Sequence, residues 1–265
     1  MSKAVKSTQS SNLKTSSQRF WEVDALRGIA IVMMVVYHLL WDLWVFGDAP
    51  NIVLYAGFWK YFQRTCASLF LILVGISLTI SYNRARSTKG SVGLYKKLLL
   101  RGAFVFSLGM VITLVLYAIR THTGFDVHVE FGILHLIGFS IAASYPFLRL
   151  RWANLFLWAI FFTAGSFVQE IHVDTQWLVW LGLTPNFYAP VDFFPVIPYF
   201  GVVLLGIFLG NTLYPDGLRA FLLPDWSDIL PVRGLNFLGR HSLLIYLLNQ
   251  PILLAILAIL GVMRF

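Results

Sequence analysis

The chain has 265 residues, of which 58% are hydrophobic, 16% aromatic and 12% charged, and its mean hydropathy is +0.75. That composition excludes an ordinary soluble domain and specifies a polytopic membrane protein. The formal charge of +8 then reflects membrane orientation and anionic lipid rather than nucleic acid, and the single cysteine, Cys66, excludes an intrachain disulfide and any multi-cysteine metal site.

Residues 1–18 are polar, rich in Ser, Thr and Lys, and lack the apolar core of a cleavable signal peptide. They are expected to form a short disordered cytoplasmic tail ahead of one membrane domain over 19–265. Apolar runs of near-bilayer length recur at 26–46, 65–82, 98–118, 132–148, 153–169, 193–211 and 242–262. The expected fold is therefore an all-α, polytopic integral membrane bundle of about seven transmembrane helices.

Its orientation follows from Lys and Arg. The tail carries Lys3, Lys6, Lys14 and Arg19, and the loop after the second run carries Arg84, Arg86, Lys89, Lys96, Lys97 and Arg101. The turn Arg149 to Arg151 and the loop holding Arg219 and Arg233 fall on the same side, which leaves Lys60, Arg64, Arg120 and Arg264 opposite. The amino end is expected in the cytoplasm and the carboxyl end outside. No internal repeat, GxGxxG or P-loop pattern occurs, so nucleotide hydrolysis has no support in the sequence.

The most informative stretch is Arg19 to Trp44, which sets Asp24, Arg27, His38 and Asp42 in one apolar segment. At ~100° per residue all four share a face. Ionisable groups in hydrocarbon are costly, so this face belongs toward a protein interior or a wet cavity and marks a functional candidate. Asp42 follows His38 by one turn, placing a carboxylate where it can hold the imidazole. Asp24 reads either as the helix N-cap or as an i,i+3 partner of Arg27. Arg27 lies roughly 16 Å along the helix from His38 and is not its direct partner. Cys66 reads as a small packing residue, and Gly201, Gly206 and Gly210 as positions for close helix packing. Trp177, Trp180 and Tyr188 suit the interfacial belt.

The run WEVDALRGIAIVMMVVYHLLWDL, followed by SLFLILVGISLTISYNRAR, FGILHLIGFSIAASYPFL, DFFPVIPYFGVVLLGIFLG and FLGRHSLLIYLLNQPILL, resembles the bacterial branch of the heparan-alpha-glucosaminide N-acetyltransferase catalytic-domain family. The resemblance covers about 20–262. It implies an integral-membrane transferase that takes acetyl from cytosolic acetyl-CoA and delivers it to an amino or hydroxyl group of a sugar or glycan on the outer side. It also implies a multi-pass protein of the bacterial inner membrane, with acetyl-CoA, a glycan acceptor and membrane lipid as partners. Where bacterial relatives are expected to carry a histidine in the last span, this chain has Asn249.

Acyl transfer requires the acceptor to lose a proton, which suits His38 as general base or transient acyl carrier, with Asp42 stabilising its cation. The cytoplasmic start of the last span, Arg240-His241-Ser242, and Arg27 are candidates for CoA phosphate; positive-inside anchoring is the alternative for Arg240. On the outer side Arg64, Glu130, His135 and Asp192 open three of the spans and are candidates for the acceptor. Asp24 and Asn249 are expected to support the site, while His122, His128 and His172 read as solvated loop residues. No metal or haem is expected, because no close pair of histidines with metal-ligand spacing occurs. The alternative function is a proton-coupled transporter or a lipid-linked glycan translocase using the same polar face as a relay.

Overall fold

The computed structural model describes residues 19–47, 53–86, 91–124, 126–188 and 190–262. The expected tail and Lys89 and Arg264 lie outside the described residues. Among these residues eight α-helices run in order: α1 Trp21–Phe46, α2 Gly57–Arg86, α3 Ser91–Thr123, α4 Ile133–Ala143, α5 Trp152–Val168, α6 Val196–Leu213, α7 Leu230–Arg240 and α8 Ser242–Ile259. Among the described residues there is no β-strand beyond an isolated bridge between His172 and Thr184. The chain is all-helical, as its hydropathy pattern requires.

Each of the seven apolar runs contains a helix. Five of these, α1, α2, α3, α6 and α8, are long and apolar enough to cross a membrane. The fourth and fifth runs hold shorter helices, α4 of 11 residues and α5 of 17. At 1.5 Å per residue α4 extends only ~16 Å, about half of a hydrocarbon core. It stops at Ala143, and the chain continues through a 3-10 turn at Tyr145–Phe147, where Pro146 cannot donate a backbone hydrogen bond.

Other helices outrun their apolar stretches. Helix α2 begins at Gly57 and α3 at Ser91, so Lys60, Arg64, Lys96, Lys97 and Arg101 stand on helices rather than in loops. Long basic stems let a helix carry such residues beyond the apolar segment. Helix α7 replaces part of what read as a cytoplasmic loop. It is short, opens with Pro231 in its first turn, and carries Arg233 and Arg240. A segment so short and mixed does not stand out in a hydropathy profile.

The chain forms two compact units, and α2 runs from one into the other. The first contains residues up to Cys66 and from Leu223 onward. Within it, α1 packs along α7 and α8. The α1–α7 crossing is backbone against backbone: a Cβ added at Gly28 would strike the Leu235 carbonyl, and one added at Gly239 would strike the Asp24 carbonyl. Such close approach supports helix association where lipid supplies no hydrophobic drive. Ala30, Ile31, Met34 and Tyr37 fill the interior, and the buried Cys66 Sγ donates to the Ala30 carbonyl at 3.3 Å.

The second unit, Ala67–Leu222, holds the rest of α2 together with α3 to α6. Helices α3 and α4 meet at Gly102 and Gly138, each lying against the other's backbone. The glycines of α6 have separate partners: Gly201 faces Phe161 of α5, Gly206 faces Ile72 of α2, and Gly210 faces Thr79 of α2. The small residues expected to permit close packing are thus used inside the chain.

Candidate functional site

In the first unit, α1 carries its four polar residues as the periodicity requires. Asp24 and Asp42 are buried, at 6% and 0% exposure, and Arg27 and His38 are half-buried. Asp24 is not the N-cap: the helix begins at Trp21 and Phe20 occupies that position, which places Asp24 in the first turn. There its carboxylate meets the positive end of the helix dipole. Oδ1 accepts from Arg27 Nη1 at 3.1 Å, the expected i,i+3 pair, and Oδ2 accepts from Arg240 Nε at 3.3 Å. Arg240 reaches it because it is the last residue of α7, held there by the glycine crossing.

The expected pairing of His38 with Asp42 is replaced by contacts with α8. The Asn249 amide nitrogen lies 2.5 Å from His38 Nδ1, and Gln250 Nε2 donates to Asp42 Oδ1 at 3.1 Å. Asp42 Oδ2 and Gln250 Oε1 are buried with no hydrogen-bond partner among the described residues. Two adjacent amides thus answer two residues one turn apart on the opposing helix. Gln250 is the residue missed by sequence reasoning, an uncharged side chain within the last apolar run, where α8 continues through Pro251. Asn249 orients the ring without contributing the negative charge that a carboxylate would, and its amide can present either its nitrogen or its oxygen to Nδ1.

His241 joins α7 to α8. Its Nδ1 lies 2.8 Å from the Phe237 carbonyl, and its ring rests on Phe237 with centroids 4.4 Å apart. Ser242 opens α8 and is half-buried.

In the second unit, Glu130, His135 and Asp192 gather around the start of α4. Asp192 Oδ2 accepts from the Ile133 backbone N–H at 3.0 Å, satisfying a donor that the helix leaves open. Burial pushes the Asp192 carboxyl up to about 6, against the opposing effect of that hydrogen bond. His135, 1% exposed, accepts from the Gly132 N–H through Nδ1 at 3.2 Å, so its neutral ring carries the proton on Nε2. The ring stacks on Phe131, meets Phe106 edge-on, and leaves Nε2 buried with no partner among the described residues. Glu130 accepts from the Tyr188 hydroxyl at 2.8 Å; burial first, and then this bond, raises the Tyr188 phenol above its usual range. Arg64 belongs to the first unit, exposed on α2. His122 lies in the last turn of α3 rather than in a loop, His128 is half-buried and His172 exposed. Among the described residues no three His, Cys, Asp or Glu side chains cluster so as to hold a metal ion.

Long apolar helices with an imidazole and carboxylates turned inward define a multi-pass membrane protein whose buried polar groups face protein rather than lipid. Within this class, residues 19–251 match the model of the family described as heparan-alpha-glucosaminide N-acetyltransferase, catalytic, and the chain belongs to that family. Its role is acetyltransferase-like, and the matched residues run from the start of α1 through Asn249 and Gln250. No curated protein and no solved structure matches the chain.

Proposed function

We propose that the protein transfers acetyl from cytosolic acetyl-CoA to an amino or hydroxyl group of a glycan on the far side of a bacterial cytoplasmic membrane. The carrying observation is the contact of His38 with Asn249 and of Asp42 with Gln250, inside the residues that match the family. In this reading Asn249 presents its amide oxygen to the Nδ1 proton of His38, which leaves Nε2 unprotonated as the ring atom for the acceptor. The acceptor nitrogen or oxygen attacks the thioester carbonyl, the new C–N or C–O bond forms, and the C–S bond breaks. His38 takes the acceptor's proton and the CoA thiolate leaves. Asp42 is buried one turn away and favours the imidazolium that results.

The guanidinium of Arg240 keeps its terminal nitrogens after Nε has bonded Asp24; with Arg27, His241 and Ser242 it is offered to CoA phosphate. Glu130, His135, Asp192 and Arg64 are offered to the acceptor. Residues 19–265 act as one membrane domain, with the amino end in the cytoplasm. The test is mass spectrometry of glucosamine-terminated and hydroxyl-bearing glycans after incubation with labelled acetyl-CoA and pure protein in detergent, where no gradient can drive transport. Labelled product is expected from the wild type and none from His38→Ala. Wild-type turnover in that variant removes His38 as base, and no product from any acceptor with the folded wild type favours the transport reading.

A further inference from the structure

A cleft of about 410 Å³ opens in the second unit where α2, the turn between α4 and α5, and α6 end together. Tyr82, Arg86, Arg149, Arg151, Asn211 and Asp216 contribute to its lining. Three guanidinium groups and one carboxylate therefore line it, and the sequence alone uses those arginines only to set membrane orientation.

Helix C-termini leave carbonyls without partners, and arginines often satisfy them. Here other side chains do much of that work. Asn211 Nδ2 donates to the Leu148 and Leu150 carbonyls at 3.1 and 3.3 Å, and Asn154 Nδ2 donates to the Phe147 carbonyl at 2.9 Å and also to that of Leu150. Arg149 and Arg151 instead fasten through Nε alone to hydroxyls: Arg149 to Tyr82, and Arg151 to Thr212 at 3.1 Å. Arg151 also lies over the Trp152 ring. Among the described residues neither guanidinium has an ion pair, and their terminal nitrogens carry no hydrogen bond. Arg86, exposed at the end of α2, has neither contact among the described residues. Two guanidinium groups are thus held in place by neutral partners, with their planar forks left to a ligand.

We infer that this cleft binds a phosphate-bearing ligand, a phosphomonoester or diphosphate, through Arg149 and Arg151 with Arg86 at the rim. Guanidinium forks match phosphate oxygens bidentately, and a site whose charges are already anchored loses little side-chain freedom on binding. The volume is that of a small-molecule site. The phosphate has two sources, a soluble phosphate ester such as CoA or the headgroup of an anionic lipid. The choice of CoA as a probe rests on the acetyl-CoA reading; the cleft does not.

The full chain in zwitterionic detergent is titrated with inorganic pyrophosphate and with CoA. The phosphatidylglycerol it retains from mixed nanodiscs is counted by native mass spectrometry. In Arg149→Gln/Arg151→Gln, a loss of pyrophosphate and CoA affinity of about tenfold or more supports the site with a soluble ligand. Unchanged CoA affinity with loss of retained phosphatidylglycerol supports it with a lipid headgroup. A folded double variant with wild-type values in all three measurements overturns the inference. Should the double variant fail to fold, Arg86→Gln carries the test: about threefold weaker binding is expected, and no change in any of the three measurements overturns the site. Wild-type protein that binds pyrophosphate but not CoA rejects the acetyl-CoA reading and keeps the cleft, whereas acetyl transfer alongside unaltered binding by the variants does the reverse.

Discussion

Asn249 of α8 brings its amide to 2.5 Å from Nδ1 of His38 on α1. The relationship joins residues 211 positions apart and gives the imidazole a neutral orienting partner. Replacing Asn249 by Leu keeps the branching of the side chain and removes the hydrogen bond. Turnover of acetyl-CoA in the presence of a glycan acceptor is expected to fall ~10-fold to ~100-fold, because a base with an unfixed ring loses part of its contribution. Asn249→Gln should recover some of that loss. A Leu variant with wild-type turnover would assign Asn249 to packing alone.

Membrane orientation is testable with single cysteines. Cys66 is buried and hydrogen-bonded to Ala30, so it contributes little background labelling. A cysteine at Leu218, exposed at 59%, or at Ser87, outside the described residues, is expected to react with an impermeant maleimide only from the cytoplasm. One at Thr175 is expected to react only from outside. Labelling of all three from one face would refute the proposed threading.

Asp24 sits between two arginines, and their removal should not be additive. Arg27→Ala or Arg240→Ala leaves the carboxylate one partner and is expected to destabilise by about 1 kcal/mol. The double variant leaves a buried anion without compensation, for which the expected loss is about 3–5 kcal/mol. Unfolding midpoints of the four proteins in one detergent provide the cycle. Additive shifts would show that the carboxylate has other compensation.

Asp192 predicts a pH dependence with a definite sign. Its folded-state carboxyl is raised from 3.8 to about 6 by burial, so the folded protein holds a proton that the unfolded chain releases. Stability should therefore decline as pH rises from about 4 to about 6 and level off above that window. The contribution is at most about 3 kcal/mol, from ~1.4 kcal/mol per pKa unit. Asp192→Asn can still accept from Ile133 N–H through its carbonyl oxygen, and should flatten that part of the profile. Thermal unfolding across the range, wild type against variant, supplies the comparison; parallel curves would acquit Asp192.

The polar face of α1 was legible from the chain because four ionisable residues on an apolar helix stand out against their neighbours and obey one period. Their partners were less so. An i,i+4 carboxylate is visible in sequence, whereas an amide over two hundred residues away is not, and His38 and Asp42 both turn to α8. Asp24 reads in the sequence either as an N-cap, because the apolar run begins after it, or as the i,i+3 partner of Arg27; helical structure extends back to Trp21 and leaves the second. Helix α7 escaped because hydropathy detects spans, and an amphipathic segment of 11 residues is not one. Arg149 and Arg151 gave only a charge count; that they are anchored through Nε to hydroxyls depends on where α2 and α6 end.

The glycine crossing of α1 and α7 has a consequence for the charges beside it. Backbone meets backbone at Gly28 and Gly239, so sliding either helix along the other would drive a side chain into a peptide plane. The two helices are keyed in register, like teeth in a lock, and Arg240 arrives at Asp24 because the key fits rather than because opposite charges found each other. High salt should weaken that attraction without moving the arginine. A single methyl at position 239 should displace it, although the charges themselves remain unchanged.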